Sequence, residues 1–200
     1  MALMIKTPPA SEPVSLTEAK SFLRITDSDD DALITSLITA VRQKAESWTR
    51  CSFITQTWTL WLDLVPEGFN VPIPLSPLQS ITHIKSYDLA NAVSTIDSNN
   101  YLVDTASTPG RIALNDGQAW PTALRRINVL EVEFVAGFGD ASSIPESIKQ
   151  GILQWIKLLF ANKSKLYESD ESTSGLLELN RIPIPPAVMV LWEPYRVFKI

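Results

Sequence analysis

The sequence predicts an α+β protein: a helical bundle formed by N- and C-terminal helices, with a small antiparallel β domain inserted between them. Three observations carry this prediction. Apolar residues recur at helical spacing from Ser15 to Arg50. The period changes to two after Cys51, where Ile54-Thr-Gln-Thr-Trp-Thr-Leu-Trp-Leu-Asp63 is rich in strand formers. Helical spacing then returns after Pro145. Each amphipathic stripe needs a partner, so helices from the two ends are expected to pack together. The expected divisions are 1–52 (arm and first helices), 53–138 (β insertion) and 139–200 (C-terminal helices and tail).

Residues 1–13 carry three prolines and few anchors, and read as an extended arm. Ser15 opens a capping box with Glu18. The short helix behind it puts Leu16, Ala19, Phe22 and Leu23 on one face and ends near Ile25. Asp27 or Ser28 can cap a second helix over about residues 28–50. Asp29, Asp30 and Asp31 then fall in its first turn, where carboxylates complement the helix dipole. A metal site is the alternative, but three adjacent carboxylates at a helix start point in different directions.

In the first strand, Ile54, Gln56, Trp58, Leu60 and Leu62 share one face, and Thr55, Thr57, Thr59, Trp61 and Asp63 the other. Pro66, Pro72, Pro74 and Pro77 suit edge or connecting segments. Further strands are expected near 79–87, 92–96, 100–104, 110–114 and 127–135, a spacing that argues for an antiparallel sheet or sandwich. Pro145 opens a third helix with the stripe Ile148, Ile152, Trp155, Ile156, Leu159 and Phe160. Residues 163–181 read as a mobile loop by composition, and a short apolar helix follows at about 186–194.

The hydrophobic fraction of 45% supports a sizeable core. A net charge of −5 argues against a large nucleic-acid-binding patch. The single cysteine, Cys51, allows neither an intrachain disulfide nor a cysteine zinc site. No window approaches the ~20 apolar residues of a membrane span, and the N-terminal apolar run is too short for a signal peptide. A soluble protein made in the cytoplasm is expected, with no membrane association.

Catalytic chemistry has no candidate set. His83 is the only histidine, lies between Ile81 and Lys85 in a strand pattern, and reads as a surface or satisfied side chain. Gly137-Phe-Gly139 lacks the spacing and lysine of a phosphate loop. Glu131 and Glu133 share a strand face and read as solvated. Cys51 reads as packed at the helix–strand junction. No enzyme activity, cofactor or metal is expected.

The aromatic residues divide differently. Trp48, Trp58, Trp120 and Trp155 have apolar neighbours and read as core. Trp61 faces away from Trp58 and is a candidate subunit interface. Trp192, Tyr195, Arg196 and Phe198 form an aromatic and basic tail suited to anchoring in a partner's groove. On that reading, deleting 192–200 leaves the fold intact. The alternative is that the tail folds back onto its own helices.

Ordered motifs carry a family resemblance. They are Pro13-Val-Ser-Leu-Thr-Glu-Ala-Lys20, Phe22-Leu-Arg24, Asp29-Asp-Asp-Ala-Leu33, Ile54-Thr-Gln-Thr-Trp58, Leu75-Ser-Pro-Leu-Gln-Ser-Ile81, Tyr101, Trp120-Pro121, Phe134-Val-Ala-Gly-Phe-Gly139 and Ile144-Pro-Glu-Ser-Ile-Lys-Gln150. Together, over about residues 12–160, they resemble the head–tail connector (adaptor, or head-completion) family of tailed phages, in its longer subgroup with a β insertion. Three departures stand out: the glycine turn common near Thr49-Arg50-Cys51 is absent, the third helix ends Phe160-Ala-Asn-Lys-Ser164 where the family often has an aromatic-Glu-Asn-Arg ending, and the loop at 163–181 is long.

The resemblance implies a structural virion protein. It implies a ring, usually dodecameric, beneath the portal protein at the head–tail junction, assembled in the host cytoplasm. Free subunits are expected to be monomers that assemble on a portal template. Such a ring extends the DNA channel without specific DNA binding and offers a platform for the stopper or tail-completion protein. The C-terminal segment, here Trp192, Tyr195, Arg196 and Phe198, is expected to engage the portal. A tail-completion or tail-terminator ring protein is the alternative, and an enzyme or ligand binder carried by the β region is a third reading.

Overall fold

The computed structural model describes residues 1–68, 70–162 and 183–198. The polar stretch expected to form a loop at 163–181 lies outside these residues. The chain divides into a helical unit (Ser11–Thr49 with Gly139–Arg196) and a β unit (Met1–Ala10, Arg50–Phe138 and Val197–Ile200).

The helical unit contains α1 (Leu16–Leu23), α2 (Asp31–Thr49), α3 (Glu146–Ala161) and α4 (Pro186–Trp192). The capping box at the start of α1 forms as its residues dictate. Ser15 Oγ accepts from the Glu18 amide at 3.2 Å, and the Glu18 carboxylate accepts from the Ser15 amide at 2.8 Å. That pairing holds the Glu18 carboxyl below its ordinary value, the backbone hydrogen bond acting most strongly. Helix α2 starts three residues later than expected, so only Asp31 of the acid cluster lies in its first turn. Asp31 pairs with Lys20 of α1 at 2.6 Å. Ile34, Leu37, Ile38, Val41 and Ala45 of α2 are buried, with Ile148, Ile152, Trp155, Ile156 and Leu159 of α3. Helix α3 contacts α1, α2 and α4, so helices from both sides of the β segment share one core.

Arg50 follows α2 with φ +59°, a left-handed conformation. The chain thus makes with arginine the turn for which glycine is the usual residue. Cys51, next in the chain, is buried.

Among the described residues the β unit forms two antiparallel sheets. The larger has the order β1 (Ala2–Thr7), β2 (Gln56–Leu62), β8 (Leu130–Ala136), β4 (Leu78–Tyr87) and β5 (Val93–Thr95). The smaller has the order β3 (Asn70–Pro72), β7 (Arg111–Leu114) and β6 (Tyr101–Asp104). Leu60, Ile84, Val132 and Phe134 of the larger sheet form one apolar cluster with Val71, Tyr101, Ile112 and Leu114 of the smaller. Pro72 accordingly sits on an edge strand, as its missing N–H requires.

Two expectations need correction. The N-terminal segment is not a free arm: Ala2 to Ile5 pair in continuous register with Trp61 to Trp58, making β1 an edge strand of the larger sheet. Both chain ends therefore belong to the β unit, not to the helical one. Ile81 also leaves the face assigned to His83 and Lys85. A bulge between Ile81 and His83 sets Ile81 against Phe134 and His83 against Glu133, so Ile81 packs on the core while His83 faces away. Among the described residues no helix is long and apolar enough to cross a membrane.

Candidate functional site: the C-terminal tail and the outer face of the larger sheet

The tail residues separate by burial. Trp192 is fully buried, its ring 5.9 Å from that of Trp155 and 6.5 Å from that of Trp48. Its indole N–H donates to the Ile148 carbonyl at 3.2 Å. The expectation that Trp192 anchors in a partner is therefore corrected: it is a core residue of the helical unit. Deleting 192–200 takes this buried ring away, so the deletion is expected to disturb the helical unit and not to leave the fold intact. Tyr195 is half-buried, with its hydroxyl 2.9 Å from Ser147 Oγ. Arg196 lies with its guanidinium 4.6 Å from the centre of the Trp48 ring. The fold-back alternative describes these three residues. Phe198 differs, being 67% exposed. It borders an apolar cavity with Ile73, Pro74 and Pro109.

Trp61 lies on the outer face of the larger sheet, half-buried. Its ring is 5.7 Å from that of Tyr87 on β4. The Arg125 guanidinium stands 3.8 Å from the centre of the Tyr87 ring and 5.9 Å from that of Trp61. Arg125 is fixed from behind, donating from Nε and Nη2 to the Asn128 carbonyl at 2.9 and 2.6 Å. Trp61 is thus the end of a rigid stack, not an isolated aromatic.

Next to this stack the same face carries charge. Register sets Thr59, Glu133 and His83 in one row across β2, β8 and β4, and Trp61, Glu131 and Lys85 in the next. His83 Nε2 is 3.0 Å from Glu131 Oε1 and 3.9 Å from Glu133 Oε2. The Lys6 ammonium of β1 pairs with Glu133 Oε2, and the Tyr87 hydroxyl donates to Glu131 Oε2. Lys85 Nζ is 3.7 Å from Glu131 Oε1.

The reading of Glu131 and Glu133 as solvated is corrected, since Glu133 is 6% exposed and Glu131 half-buried. Burial opposes the charge on Glu131. Hydrogen bonds from Tyr87 and His83, with the Lys85 charge, outweigh it and hold the carboxyl below its ordinary value. Burial, followed by the Glu131 contact, pushes the Tyr87 hydroxyl up to about 12. Sequence reasoning missed Lys6, Tyr87 and Arg125. The signal available was the i, i+2 spacing of His83, Lys85 and Tyr87 facing that of Glu131 and Glu133. This face can bind a cation or dock a polar surface.

Comparison with known proteins agrees with the motifs. Residues 13–109 match the family model described as phage gp6-like head-tail connector protein, so the family resemblance holds over that segment. No curated protein sequence matches the chain. Among solved structures, a chain in the neck of an empty GTA particle computed with C6 symmetry is similar, with a TM-score of 0.76 and 21% identity. The similarity covers 100% of this chain and 97% of that one. A chain of the virion of a native gene transfer agent particle gives 0.75 and 20%, with the same coverage. A chain in the neck of the native GTA particle computed with C12 symmetry gives 0.72 and 21%, again with the same coverage. The shared property at these identities is the α+β fold.

Proposed function

We propose that this chain is a structural virion protein, a head–tail connector that forms a ring at the neck of a phage or prophage-derived particle. The observation that carries this reading is the coincidence of two matches. The connector family model covers residues 13–109, and chains from particle necks share the fold over the whole chain. Necks computed with C6 and C12 symmetry support a ring, and a dodecamer is the form we propose.

In this reading the ring sits beneath the portal, extends the DNA channel and offers a platform to a stopper or tail-completion protein. A net charge of −5 suits a lumen through which DNA passes without sticking. The chain carries no enzymatic role in this account. Exposure narrows the proposed portal-docking residues to Phe198. The Trp61–Arg125–Tyr87 stack is the proposed subunit contact, because rigid aromatic and arginine anchors are enriched in interfaces. Assembly in the host cytoplasm, from free monomers onto a portal template, completes the proposal.

Sedimentation of the purified chain with and without purified portal tests it, alongside capture by portal against capture by tail-tube protein. Portal-dependent formation of a large, defined complex is expected. Capture by tail-tube protein alone would move the chain to the tail-completion or tail-terminator class.

A further inference from the structure

We propose that His83, Glu131 and Glu133 form a binding site for a divalent transition-metal ion of the zinc class, and that Lys6 competes with the metal for it. The three donor atoms lie within 4.8 Å of one another. A zinc ion sits about 2.0–2.2 Å from nitrogen and oxygen ligands, so tetrahedral donors lie roughly 3.3–3.6 Å apart. The distances from His83 Nε2 to the two carboxylates, 3.0 and 3.9 Å, bracket that spacing. Small side-chain rotations within the existing strand register would complete the geometry.

The set is built into the sheet. His83 stands directly opposite Glu133, and Glu131 lies two residues along the same strand. The side chains of His83, Glu131 and Glu133 are only 18%, 12% and 8% exposed. Tyr87 ties up Glu131 Oε2 and leaves Oε1 turned toward the imidazole. Such an outer hydrogen bond is how ligating carboxylates are oriented in metal centres. One imidazole with two carboxylates suits zinc and its first-row neighbours better than magnesium or calcium, which favour all-oxygen sites.

Without metal the site is charge-balanced, two carboxylates facing the Lys6 and Lys85 ammoniums. A dication must displace one of them. Lys6 is the one that yields, because its side chain is 54% exposed against 33% for Lys85 and can swing into solvent. The ion pair it breaks joins edge strand β1 to β8 across the intervening β2, so metal occupancy loosens the N-terminal strand.

Titration of the full chain with Co2+, read by its visible absorption and followed by Zn2+ competition, tests the site. Saturable one-to-one binding is expected, at least tenfold weaker in both His83→Ala and the bulkier His83→Gln, with near-UV circular dichroism confirming that each variant folds. Lys6→Met should bind several-fold more tightly than the parent chain. Absence of a saturable cobalt band, or unchanged affinity in both His83 variants, overturns the site. A Lys6→Met variant that binds no more tightly overturns the competition.

Discussion

The indole nitrogen of Trp192 occupies the space into which a side chain on Gly151 would project: a Cβ there would lie 2.2 Å from Trp192 Nε1. Gly151 sits inside α3, where glycine costs about 1 kcal/mol relative to alanine. The cost is accepted because it lets α4 close on α3 with Trp192 buried and its N–H bonded to Ile148.

Gly151→Ala should therefore destabilise the protein, although alanine favours the helix. The added methyl meets a ring fixed on all sides, and overpacking of this kind costs about 1–3 kcal/mol. Urea denaturation measures it. A midpoint equal to or above that of the parent chain would contradict the packing argument.

Trp192 and Phe198 should behave oppositely when truncated. Trp192→Ala removes a fully buried ring and is expected to cost about 3–5 kcal/mol. Phe198→Ala, at an exposed position, should change stability by about 0.5 kcal/mol or less while weakening capture by portal. Comparing thermal unfolding with portal pull-down for the two variants separates folding from docking. Normal capture of Phe198→Ala removes Phe198 from the docking surface.

Arg42 of α2 is 6% exposed and binds two carboxylates, Glu12 from Nε and Glu46 from Nη1, each at 2.6 Å. Burial alone would favour the neutral guanidine, but the hydrogen bond to Glu12 and the charge of Glu46 raise its affinity for the proton. Arg42→Ala strands two carboxylates beside each other and should cost about 3–5 kcal/mol. Because the pair is largely shielded, 1 M salt should recover little of that loss. Chemical denaturation at low and high salt checks both statements.

The Tyr87–Glu131 pair should shape stability at both ends of the pH scale. Glu131 is held below its ordinary value in the folded state, so its contribution is present above about pH 4.5 and is lost as acid protonates it. Tyr87 is pushed the other way, to about 12, so its contribution is present below pH 10 and is lost as pH rises through 12. Tyr87→Phe should cost about 1–3 kcal/mol at neutral pH and flatten both limbs. Denaturation midpoints measured from pH 3 to pH 11 give the comparison. Limbs as steep in Tyr87→Phe as in the parent would contradict the pairing.

Local signals in the sequence were legible, and long-range pairings were not. The Ser15–Glu18 box, the switch at Cys51 and the helix after Pro145 all rest on residues a few positions apart, and each forms where its chemistry points. Strand β1 escaped because only Leu3 of its side chains is even partly buried, while Met4 and Ile5, adjacent, are both exposed. No alternation marks such a strand; its partner supplies the order. The burial of Glu133 was equally hidden, since it depends on Lys6 and His83, 127 and 50 residues away in the chain. Trp192 was misread because α4 is too short to show a period, and its packing needs Gly151 on another helix.

Cryo-electron microscopy of assembled particles tests the central claim most directly. The account predicts density for this α+β fold in a closed ring at the neck, between portal and tail, with twelve copies around the axis. Particles whose neck holds no such density, or that carry the chain only at the far end of the tail, would contradict it.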